Sequence, residues 1–118
     1  MDMGQRHVLV TFNHAPYGSV FYTEGLRAVV GVTSGIDEHT VDVLYLGEGV
    51  RFALKDVDRR DSARYLATLS SLGAKLNVER ESLAERGLEE ADLAEDVEVI
   101  DRPQALELVR RADLTIDF

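Results

Sequence analysis

The apolar and polar positions of this chain alternate between a strand rhythm and a helix rhythm. Residues 7–12 (H-V-L-V-T-F) form an unbroken β-branched and apolar run, the pattern of a strand covered on both faces. Asn13, Pro16 and Gly18 interrupt it, because proline fixes φ and the other two tolerate turn geometry. The period then changes. After Ser19, whose hydroxyl can cap a helix, Tyr22, Leu26, Val29 and Thr33 recur on one face, with Phe21, Gly25, Ala28 and Val32 beside them. A strand, a tight turn and a helix therefore open the chain.

The alternation continues. Val41 to Leu46 reads as a second strand that leaves through Gly47-Glu48-Gly49, and Val50 to Leu54 as one or two helical turns. A helix from about Asp61 carries Leu66, Leu69 and Leu72 with Tyr65 as its apolar stripe, and Gly73 terminates it. Lys75 to Glu79 is a third strand. A short helix from Glu81 to Arg86 follows, with Leu83 and Ala84 inward and Gly87 as its stop. The acidic segment G-L-E-E-A-D-L-A-E-D belongs on the surface, and Val97 to Ile100 is a fourth strand. Asp101 stands three residues before Gln104, a capping-box spacing, with Pro103 in the first turn. The helix they open turns Ala105, Leu108, Val109 and Ala112 to the core. Leu114 to Phe118 alternates as an edge strand would. Five strands interleaved with helices predict an α/β fold: one three-layer domain over residues 1–118, with a five-stranded parallel sheet and right-handed connections.

Composition narrows what such a domain can do. A length of 118 residues suits one domain with a real core. No apolar run approaches the roughly 18 residues that span a bilayer. The amino-terminal M-D-M-G-Q-R leads straight into a strand, unlike a signal peptide, so a cytoplasmic location and no membrane partner are expected. The absence of cysteine excludes thiol nucleophiles, zinc–thiolate sites and iron–sulfur clusters. The three histidines show no close metal-ligand spacing, so neither a metal nor a cofactor is expected. A net charge of −9 argues against direct nucleic-acid binding. Arg59, Arg60 and Arg64 are diluted by Asp56, Asp58 and Asp61, and Arg110 and Arg111 read as solvated helix surface.

Candidate chemistry gathers at the first turn. In parallel sheets, ligands and partners meet the carboxyl ends of the strands. Asn13, His14 and Tyr17 would line the turn there, and with Gly18 and Ser19 at a helix start they can cradle a small anion. His14 is the candidate titrating group. The turn lacks G-x-G-x-x-G and Walker spacing, which disfavours a nucleotide. No nucleophile–base or paired-carboxylate arrangement emerges, so no catalytic residue is assigned. Glu48, between two glycines, reads as a solvated turn.

Several segments also resemble one family. A-P-Y-G at residues 15–18, E-G-L-R-A at 24–28, L-G-E-G-V at 46–50, S-L-A-E-R-G-L at 82–88 and the terminal A-D-L-T-I-D-F are similar to the DsrF/TusC branch of the DsrE-like sulfur-relay proteins. The resemblance implies a five-stranded parallel sheet between helical layers, and assembly as a homo-oligomer or as a hetero-oligomer with cysteine-bearing DsrE-like subunits. It also implies a role in tRNA 2-thiolation or sulfur oxidation. In the DsrE/TusD branch a cysteine after the third main strand carries a persulfide. The matching segment here is L-N-V-E, which places Glu79 at the position of that cysteine. A carboxylate oxygen cannot hold or pass on sulfane sulfur. The expected role is therefore a non-catalytic subunit. The alternative is a stand-alone homo-oligomer that binds a small anion at the first turn.

Overall fold

The computed structural model describes residues 6–13, 27, 40–55, 63–71 and 73–117. The helix expected between the first two strands lies outside the described residues, except that Arg27 is helical. Five strands form one sheet: β1 (His7–Phe12), β2 (Thr40–Tyr45), β3 (Lys75–Glu79), β4 (Val97–Ile100) and β5 (Leu114–Asp117). Their spatial order is β4-β3-β2-β1-β5, and every neighbouring pair is parallel. The α/β fold expected from the periodicity is the fold observed, and β5 is an edge strand.

Three α-helices are described: α1 (Ala63–Ser71), α2 (Arg80–Glu85) and α3 (Arg102–Arg111). Strand order decides which face each one covers. The chain steps in one direction from β1 to β4, then returns across the sheet to place β5 beside β1. With crossovers of one hand, the return must use the opposite face. Leu66 of α1 and Leu83 of α2 accordingly pack with Val8, Val10, Val43 and Val78 on one side. Ala105, Leu108 and Ala112 of α3 pack with Leu9, Leu44 and Ile100 on the other. β1 is therefore covered on both faces, as its unbroken apolar run requires.

Local signals act where they were expected. Asp101 Oδ1 accepts from the Gln104 backbone N–H (2.8 Å), and Gln104 Oε1 accepts from the Asp101 N–H (2.9 Å), completing the capping box. Gly73 and Gly87 adopt φ of 82° and 67° just after α1 and α2, where a Cβ would be strained. Three details differ. The segment after β2 is a 3-10 helix, Gly47–Ala53. Ala84 is exposed, since α2 buries Ser82 and Leu83 instead, and Val109 is 42% exposed because α3 rests on Ala105 and Leu108 instead.

Gly49 is required by close approach. A Cβ built there would lie 1.8 Å from the Phe12 carbonyl oxygen at the carboxyl end of β1. No side-chain adjustment relieves a clash with backbone. Gly49→Ala is expected to cost about 2–4 kcal/mol in urea unfolding, whereas Gly87→Ala, with open space around it, costs only about 1 kcal/mol of left-handed strain.

Candidate functional site

Glu79 is the last residue of β3 and is only 7% exposed. It stands directly before α2, yet its side chain caps no backbone N–H of that helix. Its Oε1 instead accepts from Ser82 Oγ at 2.6 Å and from Arg102 Nη2 at 3.0 Å. Both donors are placed by the backbone. Ser82 lies one helical turn into α2, and its hydroxyl therefore faces back toward residue 79. Arg102 opens α3 two residues after Ile100, the register partner of Glu79 on β4.

The contacts extend along the carboxyl rim of the sheet. Ser82 Oγ also accepts from the Gly47 backbone N–H (2.9 Å), which joins the exit of β2 to that of β3. The left-handed φ of Gly47, 55°, turns the chain there. Arg102 Nη2 also donates to Glu85 (3.0 Å), and the Arg102 N–H points at both oxygens of Glu81 (2.9 Å each). Arg86 spans from the Ser82 carbonyl (3.0 Å) to Glu48 (2.9 Å), and Arg51 holds the other Glu48 oxygen (2.8 Å). Glu48 is thus engaged by two guanidinium groups rather than free in a solvated turn.

This setting fixes charge. Burial by itself pushes the Glu79 carboxyl up, but the hydrogen bonds from Arg102 and Ser82, with the charges of Arg102 and Arg86, outweigh it and hold the group below the ordinary glutamate value. Hydrogen bonds from Arg51 and Arg86 lower Glu48 in the same sense. Glu79 is therefore an anchored anion, with its near oxygen shared between a hydroxyl and a guanidinium. Such a group accepts hydrogen bonds and pairs with cations; it neither donates a proton near neutral pH nor carries sulfur.

Of the residues expected at the first turn, only Asn13 is described. It is exposed just beyond β1, and its carbonyl oxygen faces Gly47. His14, Tyr17, Gly18 and Ser19 lie outside the described residues. Ser82, Arg86 and Arg102 were not singled out from the sequence. The E-x-x-S spacing of Glu79 and Ser82 was the only local sign, since Arg86 and Arg102 reach the network through strand adjacency. No group of three or more potential metal ligands occurs among the described residues. No described helix is long and apolar enough to cross a membrane.

The fold finds counterparts in known proteins. The sequence model of the DsrE/DsrF-like family matches residues 6–118. The chain belongs to the DsrE/DsrF-like family. Among its DsrE/DsrF-like relatives, a protein TusC homolog of Vibrio parahaemolyticus is 28% identical over 113 residues, covering 91% of this chain and 94% of the relative. The intracellular sulfur oxidation protein DsrF of Allochromatium vinosum is 30% identical over 124 residues, covering 88% of this chain and 90% of the relative. Two crystal or solved structures share the fold: the ychN protein of E. coli (TM-score 0.80, 17% identity, 96% of this chain and 99% of that one) and MTH1491 of Methanobacterium thermoautotrophicum (TM-score 0.68, 18% identity, 97% and 99%).

The lowered carboxyl of Glu79 has a definite pH signature. A carboxyl whose folded-state pKa is depressed adds stability above its unfolded value, near 4.3, and loses it as pH falls through the folded value. Glu79→Gln keeps the shape and removes the charge. Wild type should exceed the variant by about 1–2 kcal/mol at neutral pH, and the gap should close as pH drops below about 4. Urea midpoints of both proteins across pH check this; a gap independent of pH would show that the charge is not used.

Proposed function

We propose that this chain is a non-catalytic subunit of a sulfur-relay assembly, built to shape a complex whose reactive thiol comes from another DsrE-like subunit. The observation that carries the reading is the identity and setting of Glu79. The position that the family resemblance assigns to a persulfide-bearing cysteine holds a carboxylate clamped by Ser82 and Arg102, and the 118-residue sequence contains no cysteine at all. Sulfane-sulfur transfer needs a polarizable thiolate that attacks and is then attacked. An anchored carboxylate does neither.

Similarity to a TusC homolog and to a DsrF named for intracellular sulfur oxidation supports placing the chain in such a system, and a cytoplasmic location belongs to the same reading. Two surface features suit assembly. Leu106 and Val109, one turn apart on the outer side of α3, are 63% and 42% exposed. Together they form an apolar stripe on a helix whose inner side already packs against the sheet. The carboxyl rim, with its ordered arginines and carboxylates, offers directional pairing to a neighbouring subunit.

Size-exclusion chromatography with light scattering tests the proposal, on the chain alone and co-expressed with a cysteine-bearing family member. The expected result is a discrete oligomer several times the 13.1 kDa protomer mass, containing both chains when both are present. Leu106→Glu should lower that mass while leaving the urea midpoint within about 0.5 kcal/mol of wild type, because the side chain is outside the core. A monomer in both preparations would sink the reading.

A further inference from the structure

The face of the sheet under α3 holds a second polar site. There the strands and the helix border an open cavity of about 650 Å³ that runs from the amino ends of β1, β2 and β3 to Ile100 at the carboxyl end of β4. That volume lies within the range of small-molecule pockets. Asn77, in the middle of β3, lines it and is only 4% exposed. Its amide nitrogen donates to the Val43 carbonyl at 3.1 Å, which fixes the orientation of the amide. The Asn77 Oδ1 is then left as an acceptor with no partner among the described residues. A buried acceptor without a donor costs free energy, and a bound ligand would recover it.

Two charged groups beside Asn77 are also uncommitted among the described residues. Glu98 is the register partner of Asn77 on β4, so the two side chains stand next to each other on this face. Lys75 lies two residues back along β3, on the same face, about 7 Å away. The other charges lining the cavity are already paired. Asp42 holds His7 Nε2 at 3.0 Å and the Lys75 backbone N–H at 3.2 Å, and Glu107 pairs with Arg110 and Arg111. Ile100 and Leu108 supply the apolar part of the wall.

We propose that this cavity binds a free α-amino acid with an apolar side chain: its ammonium between Asn77 Oδ1 and Glu98, its carboxylate on Lys75, its side chain against Ile100 and Leu108. Two acceptors side by side select a multi-donor cationic group. A lysine one strand-repeat away selects an anion on the same small molecule. Ile100, the register partner of Glu79, lines the end of the cavity nearest the rim, but the polar groups that would hold the ligand are not those of the rim, and the proposal does not depend on the role proposed for it.

Calorimetric titration of the full chain with L-leucine, L-valine and L-methionine tests this, with leucinamide and isocaproate as probes that lack the carboxylate and the amine. At least one of the three amino acids should bind saturably at millimolar concentration or below, and removing either charged group should weaken binding about tenfold. Lys75→Met and Glu98→Gln replace exposed side chains, so both variants should fold. Lys75→Met should abolish the preference for leucine over leucinamide, and Glu98→Gln should reduce its preference over isocaproate. Absence of saturable binding by all three amino acids would overturn the assignment, as would affinities that neither variant changes.

Discussion

The carboxylate of Glu79 ties three parts of the chain to one point. Through Ser82 it reaches the Gly47 N–H at the exit of β2, and through Arg102 it reaches the start of α3 beyond β4. Three strand exits are thereby referred to one buried anion. An apolar side chain of similar volume would avoid the desolvation cost of a charge, and such replacements are often neutral or stabilising. What the carboxylate contributes is direction. Hydrogen bonds to a charged acceptor hold Ser82 and Arg102 in one geometry, which dispersion contacts do not.

Topology explains why the two faces of the sheet differ. The return from β4 to β5 sends α3 alone, among the described helices, across one face, while α1, α2 and the 3-10 segment Gly47–Ala53 pack on the other. The face under α3 is consequently more polar, with Asp42, Lys75, Asn77 and Glu98 in its lining. At the carboxyl ends the polar groups are paired into a continuous network. Under α3 the pairing among the described residues is incomplete, and Asn77, Lys75 and Glu98 line a cavity. The paired rim is suited to holding shape and meeting a neighbouring subunit; the unpaired cavity is suited to taking up a ligand.

The family relationship and the chemistry of the site bear on different questions. Membership in the DsrE/DsrF-like family accounts for the fold shared with known structures. It does not specify what sits at a single position. A carboxylate at the end of β3 fits a strand end followed by a helix. It offers no soft nucleophile for sulfur transfer.

Much of the architecture was legible in the order of residues, for identifiable reasons. Period-two and unbroken apolar runs marked all five strands, and β3 and β4 fall where their patterns put them. Asp101, Pro103 and Gln104 declared the start of α3, since capping is chemistry between near neighbours. The glycines at 73 and 87 marked helix ends through backbone sterics alone. The absence of any thiol was equally readable, because it follows from which residues the chain contains. Tertiary structure decided everything that depends on strand adjacency: that Arg102 lies beside Glu79, that Arg86 holds Glu48, and that Asn77, Lys75 and Glu98 share one cavity. These pairs are separated by up to 38 positions in the chain, and only the order in which parallel strands associate brings them within a hydrogen bond or a side chain's length.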